Sequence, residues 1–330
     1  MAFPVASGVT TPPIYPAGTA GNGLSGTGYI PEIWSGKLIE KFYASTVLAA
    51  ISNTDYEGEI KAHGDKVHIR TKPTITIRTY LADAALELER PQGNQVILNI
   101  DQGQYFNTIL DDVMKVQSDI NLMSMWAEDA GEQMKIVIDR AVLLGIKDQA
   151  AAANRGIAAG AITGAINLGV SGTPLNIVTG SPTGGEVDVL DMMMRLGQVL
   201  DEQNIPETGR WIVMPTWTAV MVKRSELRQA YLSGDSVSML RNGRLGMVDR
   251  FTLYTSNLMP FGTAGGLVAG EFIVYAGQSH ALTFASQMTQ METLRSELTF
   301  GQVMRGLQVY GYKVLDGTAL AQAIITKGTH

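Results

Sequence analysis

The sequence predicts an α+β fold, and three observations carry that prediction: a long hairpin of alternating residues, one long helical stretch, and a run of short strands punctuated by turns. From Lys66 the apolar period is two, with Val67, Ile69 and Thr71 on one face, and it resumes after Pro73 as Ile75, Ile77 and Thr79. A return strand is expected from Gln95 to Asp101, where Val96, Leu98 and Ile100 alternate with Ile97 and Asn99, leaving Tyr80 to Asn94 as a polar tip. Between Asp119 and Ile146 the period changes to that of a helix. Met123, Trp126, Ala130, Met134, Val137, Ala141 and Leu144 recur every three or four residues, with Ser118 placed as the N-cap. At about 1.5 Å per residue this helix would be roughly 40 Å long, and its Met and Trp stripe reads as core rather than as a cofactor site.

The remaining elements follow in order. Met1 to Thr27 is rich in Pro, Gly, Ser and Thr without periodic apolar residues and reads as an extended arm. Ile33, Trp34, Leu38, Phe42, Val47 and Leu48 then fall mostly at helical spacing, predicting a helix beyond Pro31. After Gln149 an Ala/Gly-rich tract and the Pro/Gly loop at Ser181 to Gly185 mark an internal boundary. Val187, Leu190, Met193, Met194, Gly197 and Leu200 predict a helix ending before Pro206. Arg210 to Met214 reads as a buried strand, and Pro215 is placed to open a short helix. Turn signals such as Asn242-Gly243 then alternate with short strands through EFIVYAG. In the last segment, Met291 to Lys327, Leu307, Val309 and Gly311 alternate with Gln308, Tyr310 and Tyr312, so a strand is expected. Glycines at 301, 306 and 311 point to bulges or close backbone approach.

Composition narrows the function. A formal charge of −6 and a pI near 5.3 argue against a tight grip on nucleic acid, which needs clustered Lys and Arg, but not against enclosing it. Without cysteine there is no disulfide framework and no thiolate zinc site, so durability must come from packing or assembly. MAFPVASG lacks the basic region of a secretory signal. The apolar tract from Ala150 is interrupted by Asn154, Arg155 and Asn167 and is too small in volume for a membrane span.

Candidate chemistry mostly fails. The G-x-G-x-x-G at Gly21, Gly23 and Gly26 has no strand before it and Pro31 soon after, so it lacks the strand and helix dipole of a dinucleotide site. No P-loop, H-E-x-x-H or G-x-S-x-G pattern occurs. His63, His68, His280 and His330 are scattered, and on a strand the first two point to opposite faces. Asp111, Asp112, Glu128, Asp129 and Glu132 read as solvated charges of a long helix and its approach. No catalytic residue, cofactor or metal ligand is assigned, and the chain is expected not to be an enzyme. The hairpin's outgoing limb carries Lys61, Lys66, Arg70, Lys72 and Arg78, whereas its tip carries Asp83, Glu87 and Glu89 against Arg90 alone. Two readings stay open: solvated edge charges that discourage aggregation, or electrostatic docking between copies.

The order of these elements resembles the major capsid protein fold of tailed bacteriophages, shared with encapsulin nanocompartments. The resemblance is carried by HGDKVHIRTKP entering the hairpin, LNIDQGQYFNTILDDVMKVQ leaving it, GRWIVMP and GRLGMVDRFTLYTSNLMP in the middle, and METLRSELTFGQVMRGLQVYGYKVL near the end. It implies an N-terminal arm (1–55), an extended loop (56–104), a peripheral domain with a long spine helix (105–146 and 289–330) and a mixed axial domain (147–288). The function it implies is a structural subunit that self-assembles in pentamers and hexamers into an icosahedral head around double-stranded DNA, without sequence-specific binding and away from membranes. Scaffolding and portal proteins are expected partners, with a decoration protein as a further one, and assembly is expected in the host cytoplasm. Because such loops lie over a neighbouring peripheral domain, Arg70, Lys72, Arg78, Asp83, Glu87 and Glu89 become inter-subunit contact candidates. The alternatives are an encapsulin-like cargo shell and, from another class, a nucleotide-binding enzyme using Gly21 to Gly28.

Overall fold

The computed structural model describes residues 43–55, 66–73, 75–80, 85, 88–93, 95–117, 121–180, 182–225, 246–297 and 299–328. The expected arm and most of the first expected helix therefore lie outside the described residues, as do Ser118 and Asn242-Gly243. Where that helix should end, residues 43–47 are irregular and only one turn, α1 (Leu48–Ile51), forms.

The hairpin forms where alternation places it. β1 (Lys66–Arg70) and β2 (Gln95–Asn99) pair antiparallel, from Lys66 opposite Asn99 to Arg70 opposite Gln95. The expected continuation through Ile75 and Ile77 makes no ladder among the described residues. Pro73 supplies the reason: it has no N–H to donate, and it restricts Lys72 before it.

The chain next builds a three-stranded antiparallel sheet from β3 (Gln102–Asp111), β10 (Leu282–Arg295) and β11 (Gly301–Val314), with β11 in the middle. The three glycines of β11 serve close approach rather than bulging; the bulge lies on β10, between Ser286 and Met288. A Cβ on Gly301 would sit 2.7 Å from the Leu110 carbonyl, one on Gly306 would overlap the Phe106 ring, and one on Gly311 would overlap the Asn99 carbonyl.

Beyond β3 come a short helix, α2 (Asp112–Gln117), and the long helix α3 (Leu122–Gly145), whose 24 residues span roughly 36 Å. It begins three residues later than expected, with Asn121 at the N-cap position. Its buried stripe is also turned from the expected one: Ile138, Asp139, Val142 and Leu143 are buried, while Val137 and Leu144 are exposed. Among the described residues, only the C-terminal half of α3 reaches a core.

That core is built on a mixed seven-stranded sheet in the order β5-β4-β12-β9-β6-β8-β7. Its strands are β4 (Leu175–Val178), β5 (Glu186–Asp188), β6 (Arg210–Met214), β7 (Met247–Val248), β8 (Phe251–Thr255), β9 (Glu271–Gln278) and β12 (Leu320–Lys327). Strand β6 is buried at every residue because both its faces are covered, which is why it reads as a continuous apolar run. Ile212 and Met214 face α4 (Val189–Glu202) and α5 (Thr216–Arg224), joining Met192, Leu196 and Val222. Trp211 and Val213 face the other way, joining Val142, Leu143 and Ile146 from the end of α3. Helix α4 is capped by Asp188, whose side chain accepts from the Leu190 N–H at 3.1 Å, and α5 starts just after Pro215.

Two boundaries depart from expectation. Residues 320–327 were expected beside the long helix, yet β12 is an inner strand of the seven-stranded sheet, parallel to β4 and antiparallel to β9. Its residues Leu320 to Ile325 are buried throughout, so no alternation marks an outer face. Conversely, β10 begins at Leu282, within the segment expected to be axial, and joins the three-stranded sheet.

The Gly311 contact is the tightest seam between β11 and the hairpin root. Gly311→Ala should lower unfolding stability by about 1–3 kcal/mol, the usual cost of overpacking; urea denaturation measures it, and an unchanged midpoint would mean that the strands separate freely.

Candidate functional site

A two-stranded hairpin is marginal in water unless it rests on another surface. Here the root does so: Leu98, Ile100 and Ala285 are buried together, with Val67, Ile69 and Val309 against them. Among the described residues the outer part has no such support. Ile77 is 90% exposed and Leu88 98%, and Ile75 and Tyr80 are also exposed. The arrangement is a limb with a buried root and exposed apolar side chains among the described residues beyond it.

The expected contact residues lie on this limb. Arg70 closes β1 opposite Gln95, and Lys72 and Arg78 follow it, all exposed. Neither Arg70 nor Lys72 has a carboxylate partner among the described residues. Glu89, on the returning limb, accepts from the Thr76 N–H at 3.2 Å and the Thr76 hydroxyl at 3.4 Å, tying the two limbs beyond the ladder. Asp83 and Glu87 lie outside the described residues, so the structure does not test the proposed set as a whole.

The carboxylates near the long helix are engaged separately. Asp112 pairs with Arg295 at 2.7 Å, Asp129 accepts from the Tyr43 hydroxyl at 2.9 Å, and Glu132 pairs with Lys135 at 2.6 Å. Among the described residues no cluster of three or more His, Asp or Glu side chains could hold a metal ion. No described helix is long and apolar enough to cross a membrane. A surface groove of about 370 Å³ runs along Tyr105, Phe106 and Leu307 beside the Arg305–Glu292 ion pair; no His or Ser lines it.

Sequence reasoning missed a strap and a charge network. Residues 43–53 cross the body of the subunit. Val47, Leu48 and Ile51 enter the core with the end of α3, and Asn53 bonds to both sides of Thr283, donating to the Leu282 carbonyl at 2.8 Å and accepting from the Phe284 N–H at 3.0 Å. The strap is pinned by Asp139, whose buried carboxylate accepts from the Val47 N–H at 2.7 Å while its second oxygen has no partner among the described residues. An acidic residue inside the apolar stripe at Ile138 and Val142 was the available signal. Elsewhere the fully buried Arg210 pairs with Asp201 at 2.7 Å, and Asp201 with Arg250 at 2.9 Å, which in turn reaches Glu207 at 2.7 Å. This network fixes the loop before β6 to the turn before β8.

Comparison with known proteins places this architecture. The family model described as phage capsid protein matches residues 96–323. A structure from Mycobacterium phage Che8 superposes with a TM-score of 0.70 at 25% identity, covering 90% of this chain and 97% of that one. The capsid of cyanophage P-SCSP1u (TM-score 0.67, 14% identity, 92% and 94% coverage) and the mature capsid of bacteriophage PhiM1 (0.62, 15%, 91% and 93%) share the fold. These matches do not favour the cargo-shell alternative. No curated protein sequence matches the chain.

Burial raises the Asp139 carboxyl above the ordinary carboxylate range, outweighing the Val47 and Leu48 N–H groups that lower it. The folded state therefore holds this proton more tightly than the unfolded chain. The stability it contributes is full below the unfolded pKa and is lost as pH rises through the folded value. Asp139→Asn keeps an acceptor for the Val47 N–H and should gain melting temperature over wild type as pH rises from about 4 to about 7. Calorimetry at both pH values checks this; an identical offset at each would rule out the raised carboxyl.

Proposed function

Since the chain belongs to the phage capsid protein family, whose members form the structural shell of the virion, we propose that its projecting hairpin is the element that joins one subunit to the next. The observation that carries this reading is the contrast between the buried root at Leu98 and the bare tip at Ile77 and Leu88. Full burial of one such side chain is worth about 1.5–3 kcal/mol. A docked tip therefore offsets only part of the cost of association, and closure becomes a collective property of many weak contacts. Arg70, Lys72 and Arg78 on one limb, with Asp83, Glu87 and Glu89 later in the loop sequence, supply charges of both signs that set register and orientation as the loop meets its neighbour.

In this reading 105–146 and 282–314 form the peripheral part that receives the neighbour's loop, and the seven-stranded sheet with its two helices forms the axial part. Pentamers and hexamers of the chain are built with scaffolding and portal proteins in the host cytoplasm, and a decoration protein is compatible with the outer surface. The shell encloses DNA without reading its sequence. A subunit of charge −6 suits that role, because a strongly basic lining would hold the entering duplex. The chain acts by assembly and not by catalysis.

Purified protein, alone or with its scaffold, is expected to give closed shells by electron microscopy; a chain that stays monomeric by sedimentation overturns the reading. Arg70→Glu combined with Arg78→Glu should impair shell formation while circular dichroism of the monomer is unchanged. Undiminished assembly of that variant removes the docking role of the limb.

A further inference from the structure

A cavity of about 360 Å³ opens where α3 ends, between the residues just after the helix, the turn that closes at Gly156, and strand β12. Asp148 organises it. Its backbone is left-handed (φ 62°), a conformation that residues with a side chain seldom adopt, and the buried Gln322 holds it there. The Asp148 N–H donates to Gln322 Oε1 at 2.8 Å, and Gln322 Nε2 donates to Asp148 Oδ1 at 3.2 Å. The carboxylate fixed in this way pairs with Lys147 at 2.9 Å and with Arg155 at 3.1 Å.

Two cations thus share one carboxylate at the cavity wall, which is left with a positive charge in excess. Neither cationic side chain has another hydrogen-bond or ion-pair partner among the described residues, so most of their N–H donors remain for an occupant. The Glu271 carboxylate, which feels the Lys147 charge, is already taken up by the Gly172 and Val268 N–H groups and the Ser171 hydroxyl.

We infer that this cavity is a binding site for a phosphate dianion, free or carried on a small organic body, held between Lys147 and Arg155. A guanidinium fork matches phosphate oxygens, and the ammonium beside it adds a second charge-assisted bond. The volume falls within the range of small-molecule sites and exceeds what a bare phosphate needs, while Ala152, Val170 and Ile324 give the rest of the wall an apolar surface. A nucleic-acid strand would need a row of cations, and the lining offers only two.

The test is isothermal titration calorimetry on the purified full chain, with inorganic phosphate, glycerol 3-phosphate and a short DNA duplex in chloride buffer of matched ionic strength. Wild type should bind phosphate. Arg155→Gln should weaken it at least about tenfold, as expected when a charged hydrogen bond is lost. Asp148→Asn keeps an oxygen for Gln322 and tolerates the left-handed backbone, but removes the competing charge, so it should bind about threefold tighter. Tighter binding of glycerol 3-phosphate than of inorganic phosphate assigns an organic phosphate, equal binding assigns the free ion, and either upholds the site. No binding of either one, or unchanged affinity in an Arg155→Gln variant that melts like wild type, overturns the inference. Binding of the duplex alone overturns it too. If Arg155→Gln does not fold, Asp148→Asn decides: affinity equal to or below wild type overturns the site. None of these outcomes bears on shell assembly, so the proposed function stands or falls separately.

Discussion

The rest of the subunit depends on one constraint: a seven-stranded sheet that must be covered on both faces. α4 and α5 cover one face through Met192, Leu196 and Val222. The other is covered largely by the last turns of α3, through Val142, Leu143 and Ile146, reinforced by the Tyr275 hydroxyl, which donates to the Leu143 carbonyl at 2.8 Å. Because only the end of α3 is needed there, its N-terminal half extends past the core and travels with the three-stranded sheet. Gly145 leaves room at that junction for the Tyr312 side chain of β11, so helix and sheet meet without a gap to flex in. The hairpin then grows from β11 by way of Asn99 and Leu98. Each outlying part is rigid because the part beneath it is.

The resulting body is well packed at its centre and unfinished at its edges. A typical monomer exposes scattered apolar side chains, and that needs no explanation. Among the described residues the four most exposed, Leu88, Ile77, Phe300 and Val116, lie at two sites, the hairpin tip and the end of the three-stranded sheet, while Ile162 and Tyr105 are nearly as exposed elsewhere. The strap of residues 43–53 strengthens the packed centre by spanning the end of α3, the start of β10 and, through the Ser256 hydroxyl and the Ser45 carbonyl at 3.4 Å, the edge of the larger sheet.

Much of this was legible in the sequence where one face of an element meets water. Alternation from Val67 to Ile69 and from Val96 to Ile100 located the hairpin, because its root has an inner and an outer side. The glycines of β11 were legible as close contacts, though only the structure names Leu110, Phe106 and Asn99 as what they approach. Legibility failed where both sides are buried or where polarity misleads. β12 shows no alternation because Leu320 to Ile325 are enclosed, so its place inside the larger sheet could not be read from period. The helix stripe was misjudged because Asp139 looks like a solvent residue and is in fact a buried acceptor for the strap. For the contact charges, the pattern of Arg70, Lys72, Arg78 and Glu89 identified an exposed limb but not what, if anything, it meets.

The position of β12 also sets a clock. It is the last strand in the chain, yet it lies between β4 and β9, two strands made long before it. Until β12 has been made and has joined them, β4 and β9 have no strand between them, and the larger core stays open. Closure of the larger core is therefore a late, long-range step in the folding of the subunit.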